Sequence, residues 1–385
     1  MAQSRAYLDW NATTPLHPAA REAVIEALDT LGNPSSIHAE GRAARAILER
    51  GRADVAALVG AEAENIVFTS GATEAVNALF KVGISGCCGV SYAGEMLPLV
   101  LATEHSASFA AAGEGAARIP VLANGLVDML ALKAMLAAGG PALVAAQLAN
   151  NESGVIQPIA GIAKAVHQAG GALICDAVQA VGKLKIDLSS LDIDAIIITA
   201  HKFGGPKGVG AIVFRDSRTR LAQSFVKGGG QERGQRGGTE NLPGIAGMGA
   251  AARAVMADDE SPARMLALRE AFEARLKALA PDVYIAGENA PRLPNTTLFA
   301  IPGFRAEQAL IAFDLDGVAV SSGSACSSGK VKESHVLKAM GAPAFVKSGA
   351  IRVSLGRTTE MDDMERCLAS LAKQLARRTK KIDAA

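Results

Sequence analysis

Two residues at the ends of apolar runs carry the strongest chemical signal in this 385-residue sequence. Lys202 stands in Thr199-Ala200-His201-Lys202-Phe203-Gly204-Gly205-Pro206-Lys207, directly after a hydrophobic run and before a Gly-Pro turn. A lysine there fits a Schiff-base role: a partly apolar site lowers its pKa, so that the neutral amine adds to an aldehyde. A lysine snorkelling from a strand end would leave the same local sequence. Asp176 follows a second run, Ala172-Leu173-Ile174-Cys175. Its carboxylate suits the partner of a pyridinium nitrogen, kept protonated so that the ring acts as an electron sink, as in pyridoxal phosphate (PLP) sites. An ordinary helix N-cap is the alternative. Gln179, three residues on, is placed to hydrogen-bond the phenolic oxygen of the same ring.

Other residues gain meaning from this company. Ser70-Gly71-Ala72-Thr73-Glu74 reads as a strand-to-helix turn whose small residues expose backbone N–H groups as a phosphate cradle, although a capping box looks similar. Thr199 and His201 offer further donors, and Thr239 adds a hydroxyl from the glycine-rich loop 228–238. His105, in Glu104-His105 after an apolar stretch, could lie flat on a cofactor ring or be a satisfied polar residue. Arg352 sits inside the apolar Ile351-Arg352-Val353-Ser354, where a guanidinium is costly unless it meets an anion such as a substrate carboxylate. Cys326 lies in Ser321-Ser322-Gly323-Ser324-Ala325-Cys326-Ser327-Ser328-Gly329-Lys330, a stretch without bulk in which Lys330 and Lys332 favour the thiolate.

The elements that must position these residues alternate between short apolar runs and helical patterns. Strands are expected at 65–69, 142–148, 172–175 and 195–199, and helices at 127–138, 159–169 and 241–258. That alternation predicts an α/β chain with a largely parallel sheet, whose strand ends at 70–74, 150–152, 176–179 and 199–202 converge on one cleft. Beyond about residue 260 the order changes to a long charged helix (262–279), short strands near Val283 and Thr297, and a final helix from Glu360.

Composition limits the function classes. The chain carries 39 Lys+Arg against 38 Asp+Glu and only 4% aromatic residues, so it has no electrostatic footprint for nucleic acid. Five cysteines, at 87, 88, 175, 326 and 367, are too few and irregular for a disulfide framework, and none has zinc spacing. This favours a reducing, cytoplasmic setting. No export signal is visible, and the uncharged run 134–151 is split by Gly139-Gly140-Pro141, so no membrane segment is expected.

Taken together, these segments resemble a cysteine desulfurase of the NifS/IscS type, within the class V aminotransferases of PLP fold type I. The matching stretches run nearly the whole chain in order: residues 7–15, 32–38, 68–74, 104–105, 150–157, 176–179, 200–202, 228–241, 321–328 and 351–357. Residues 83–103 depart from the pattern, and Ser106 stands where Pro or Lys is usual. The resemblance implies a large domain (15–260) built on a mostly parallel seven-stranded sheet flanked by helices. It also implies a smaller α+β domain from 1–14 and 261–385, carrying the cysteine loop 321–334.

On this resemblance Lys202 is the Schiff-base lysine and proton-transfer base, His105 stacks on PLP, and Asp176 meets the pyridine nitrogen. Gln179 and Asn151 serve the phenolic side, and Ala72, Thr73, Thr199 and His201 the phosphate. Thr239 reaches the phosphate of a neighbouring subunit, implying a homodimer with shared sites. Arg352, with Asn33 close by, holds the carboxylate of L-cysteine. Cys326 is the nucleophile that becomes a persulfide, with L-alanine as product and an iron-sulfur scaffold or other acceptor protein as the destination of the sulfur. No firm metal site is implied; transient iron-sulfur ligation by Cys326 through its persulfide stays open. The ending of the cysteine loop and the Thr239-Glu240-Asn241 triplet are similar to the nitrogen-fixation type. Selenocysteine lyase or another class V lyase or transaminase, and a non-catalytic sulfur-transfer scaffold, are the alternative readings.

Overall fold

The computed structural model describes residues 5–86, 96–323 and 333–382. Cys87, Cys88 and Cys326 lie outside these residues. The main sheet has seven strands in the spatial order Ile66–Thr69, Gly210–Phe214, Ala195–Thr199, Ala172–Asp176, Ala142–Gln147, Leu97–Leu101 and Ala117–Ile119. All run parallel except Gly210–Phe214, which is antiparallel to both its neighbours. The sheet is therefore mostly parallel, as expected. The exception has a simple cause. Parallel neighbours need a crossover of a dozen or more residues, whereas Ala195–Thr199 and Gly210–Phe214 are joined only by the short segment 200–209.

The runs read as apolar from the sequence are buried on both faces. Every residue of Ile66–Thr69, Ala142–Gln147, Ala195–Thr199 and Gly210–Phe214 is buried. Alternate residues feed different cores, because successive side chains leave opposite faces of a strand. Leu173, Cys175, Ile196 and Ile198 pack on one side, and Ile174, Ala195, Ile197 and Ile212 on the other. Two of the helices begin where short polar side chains cap them. Asp128 Oδ1 accepts from Leu130 and Ala131 N–H ahead of helix Met129–Gly139, and Asn241 Oδ1 from Gly244 N–H ahead of Leu242–Met256.

A four-stranded antiparallel sheet, Tyr284–Ile285, Thr296–Ala300, Ile351–Ser354 and Ser321–Ser322, packs with helices Ser261–Leu279 and Met361–Ile382 around a separate apolar core. The N-terminal segment belongs to this core. Ala6–Tyr7 pairs in parallel with Val318–Ala319, and Leu8 is fully buried among the same residues. From there the chain crosses at residues 9–14 to the edge of the main-sheet cleft.

At the opposite end of the sheet, buried Asp194 Oδ2 bonds His167 Nε2 at 2.8 Å and accepts from Leu173 N–H at 2.8 Å. The bond to Asp194, with Asp192 beside it, raises the His167 pKa. A raised folded-state pKa gives stability that is present in full below the unfolded value of about 6.5 and is lost as pH rises through the folded value. The stability advantage of the native protein over His167→Gln is therefore greatest at mildly acidic pH and smallest at alkaline pH. Thermal melts of the pair across that range test this, and a constant gap would refute it.

Candidate active site

Five strand ends open on one cleft. Its lining includes Ala72, Thr73, His105, Asn151, Asp176, Gln179, Thr199, His201, Lys202 and Arg352, so ten of the residues singled out from the sequence come together here. Three do not. Thr239 lines an adjoining cavity with Ser70, Gly208, Glu232 and Arg236. Asn33 is exposed, away from this lining, and its Oδ1 accepts from Ser35 N–H at 2.9 Å. Cys326 lies outside the described residues.

Lys202 ends the short 3-10 turn Ala200–Lys202 after strand Ala195–Thr199. Its Nζ donates to Asn11 O at 2.6 Å and Ala12 O at 2.9 Å, which hold the amine at the cleft wall. Thr14 fastens the same turn: its N–H donates to His201 O and its Oγ1 to Lys202 O, both at 2.8 Å. Burial, then repulsion from Lys202 and Lys207, pushes His201 down to about 4. It is a neutral imidazole at any working pH.

Asp176 closes the cleft at the end of Ala172–Asp176. One carboxylate oxygen accepts from Val178 N–H at 2.8 Å, so the capping interaction considered from the sequence exists, but it caps a tight turn and no helix follows. Burial raises its pKa, against the pull of the Val178 N–H, His105 and Lys202. A carboxylate so placed gains by meeting a cation. His105 is the N-cap of helix Ser106–Ala112, its Nδ1 accepting from Ala107 N–H at 3.2 Å. That bond places the proton of the neutral ring on Nε2. Glu104 behind it is fully buried, with Oε2 taken by His105 N–H and Ser108 Oγ and Oε1 unpartnered. Burial, then the Asp176 charge, drives its pKa to about 8, so it is a neutral acid at pH 7.

Helix Ala72–Val82 starts at the cleft. The cradle is less open than its small residues suggest, because Ser70 N–H is already given to Glu74 Oε2 at 2.9 Å. Glu74 is in turn paired with Arg236, and against the upward pull of burial these bonds keep it ionised. The helix start lies tight on the sheet: a Cβ at Gly210 would come 2.8 Å from Gly71 Cα, which only glycine at 210 permits. Thr199 Oγ1 donates to Val209 O at 3.1 Å.

Arg352 is 3% exposed in its side chain. The anion it meets within the chain is Asp9, at 2.7 Å from Nη2, while Nη1 donates to Asn151 O at 2.9 Å and buried Nε has no partner. Asp9 and Asn11 are the functional positions that sequence reasoning left without roles. Asn11 is 1% exposed; its amide bridges Thr296 Oγ1 and Asn151 O, and its carbonyl takes both Lys202 and Gln179. An acid and an amide flanking the only tryptophan, in Asp9-Trp10-Asn11, was the available signal. The whole arrangement can bring an amine, a cation-seeking carboxylate, neutral donors and a guanidinium onto one flat polar ligand.

The class V aminotransferase family matches residues 6–367. Curated relatives named cysteine desulfurase include one from Cereibacter sphaeroides, 40% identical over 95% of both chains. Another, named cysteine desulfurase IscS, comes from Dictyoglomus turgidum and is 38% identical over 95% of this chain and 93% of its own. A NifS-like protein from Rickettsia africae superposes with a TM-score of 0.86 at 35% identity, covering 96% of this chain and 99% of that one. The chain belongs to the class V aminotransferase family, on its cysteine desulfurase branch.

Proposed function

We propose that this chain is a PLP-dependent enzyme that takes sulfur from L-cysteine, releases L-alanine and carries the sulfur as a persulfide on Cys326 to iron-sulfur cluster assembly. The observation that carries this reading is the meeting of Lys202, Asp176, His105 and Arg352 in one cleft at the carboxyl ends of parallel strands. When bound, PLP supplies an aldehyde for an amine and an electron-withdrawing ring. The residues fit it by their chemistry. Asp176 is a buried carboxylate that gains from a protonated ring nitrogen. Gln179 and Asn151 line the cleft and would serve the phenolic oxygen, and Thr73, Thr199, neutral His201 and the helix start at Ala72 suit a phosphate.

Each side chain then has a task. Lys202 offers its amine for attachment and, once released, removes the α proton of the substrate. His105 holds a proton on Nε2 beside the reacting atoms. Arg352 lines the cleft beside Asp9 and Asn151 O, which supports its binding of the substrate carboxylate. The Cys326 thiolate attacks the substrate sulfur: an S–S bond forms, the C–S bond breaks, its electron pair passes to the β carbon, which takes a proton, and the return of the α proton completes L-alanine. Thr239 serves the phosphate of a second subunit in a homodimer; its place beside the cleft rather than inside it supports that role. Asn33 joins the substrate side. The separate apolar cores support a division into a large domain (15–260) and a small one (1–14 and 261–385). The enzyme works in the cytoplasm; among the described residues no helix is long and apolar enough to cross a membrane.

The test is direct. With PLP the purified protein gains a visible absorption band and converts L-cysteine to alanine and, with a thiol reductant, equal sulfide. Cys326→Ala keeps the band but loses sulfide release. A native protein that takes up no PLP would sink the reading, and undiminished desulfuration by Cys326→Ala would sink the nucleophile.

A further inference from the structure

Lys183 is a buried amine that the chemistry above leaves unused. It is 6% exposed, and its Nζ lies 2.9 Å from Gln179 O and 3.1 Å from Gln179 Oε1. Gln179 is 4% exposed and donates from Nε2 to Asn11 O at 2.9 Å, the carbonyl that also accepts from Lys202 Nζ. These partners fix which end of the amide faces which way. A lysine ammonium only donates and a backbone carbonyl only accepts, so the oxygen end must face Lys183 and the nitrogen end Asn11. Nε2 carries two hydrogens. With one on Asn11 O, the other is left for the cleft that Gln179 lines.

We propose that Lys183 is a positioning residue for the reaction: by holding Gln179 Oε1, it keeps an N–H donor, rather than a carbonyl oxygen, turned to the phenolic oxygen of the bound cofactor. Were the amide to turn over, an acceptor would face an anionic oxygen, and Asn11 O would meet a second acceptor in place of its donor. Burial first, then repulsion from Lys202 and Arg352, pushes Lys183 down to about 7. The anchoring survives that titration, because a neutral amine still donates to Oε1. His17, Lys202, Asp258 and Arg357 are the titratable groups that share one small cavity with Lys183, and Glu62, Lys185, Asp187, Arg215, Asp258 and Asp259 line a second cavity that it also reaches.

This inference rests on the PLP reading, and one experiment separates their failures. The visible band of the holoenzyme is titrated with pH in the native protein, Lys183→Met, Gln179→Leu and the double variant. A donor on the phenolic oxygen weakens its hold on the proton shared with the nitrogen that Lys202 provides, so losing the donor keeps the protonated form to higher pH. In Lys183→Met the midpoint moves up by about one pH unit, and Lys183→Gln, which still donates an N–H, restores most of the shift. In the Gln179→Leu background Lys183→Met adds nothing, because Lys183 acts through Gln179. An unmoved midpoint in Lys183→Met, or an equal added shift in both backgrounds, overturns the proposal. If Lys183→Met does not fold, Lys183→Ala takes its place in the same cycle. A native protein without a visible band fails the PLP reading instead.

Discussion

Lys202→Ala lowers sulfide release from L-cysteine by at least about 10³-fold and leaves the fold intact. Two roles vanish together, the covalent attachment and the proton transfer, so the loss exceeds that of a group with one role. The neighbouring amine does not substitute, since Lys183 Nζ is engaged by Gln179 O and Oε1. The structural cost is small. Asn11 O loses the Lys202 bond but keeps the one from Gln179 Nε2, and Ala12 O loses its bond from Lys202, together about 1–2 kcal/mol of stability. Lys202→Arg keeps the positive charge and loses the nucleophile, so it is as inactive as Lys202→Ala. Sulfide assays beside urea melts check this; activity within tenfold of the native level in either variant would refute the role of Lys202.

Glu232→Leu is the most damaging substitution expected for stability. Arg52 and Glu232 have side chains 3% and 1% exposed and form a bidentate pair at 2.7 and 2.8 Å. Glu232 Oε2 also accepts from Phe68 N–H at 2.9 Å, tying the loop to the strand that leads into Ser70. Glu232 and Arg233 both have left-handed backbone, at φ 47° and 55°, a conformation costing about 1–3 kcal/mol each in a non-glycine residue. The ion pair holds the loop in that shape and thereby places Arg236 and Thr239 beside the cleft. Removing Glu232 alone takes the bidentate carboxylate from a buried guanidinium, which keeps Glu49 Oε2 on Nε and Ile66 O on Nη1, both at 3.0 Å, and costs about 3 kcal/mol, a large share of the roughly 5–15 kcal/mol that stabilises a folded domain. Arg52→Met added to Glu232→Leu removes the buried charge that has lost its bidentate partner and recovers part of that loss, without restoring the loop geometry. Urea unfolding of the single and double variants decides the matter: a double variant no more stable than Glu232→Leu would refute it.

The chemistry of this chain was legible because it obeys local rules. Lys202 and Asp176 were found as charges at the ends of apolar runs, and strands at those runs follow from period and burial alone. The reversed strand Gly210–Phe214 was not legible, since its direction depends on the short turn that holds Lys202. Asp9, Asn11, Lys183 and Glu232 were missed for a common reason. Their partners lie far along the chain, Asp9 with Arg352 and Glu232 with Arg52, or depend on which end of an amide faces inward, as for Lys183. No local pattern encodes such pairs.

By itself the sequence determined the family-level chemistry: an amine, a carboxylate, a guanidinium and a thiol in a recognisable order, each set by side-chain type and by the strand end or loop that carries it. Tertiary structure alone decided which of them share a cleft, that Thr239 stands outside it, and that Arg352 already holds Asp9. The reason is physical. Attachment and proton transfer depend on functional groups, which the sequence spells out, whereas ionisation, orientation and accessibility depend on burial and on partners that only the folded chain brings within hydrogen-bonding distance.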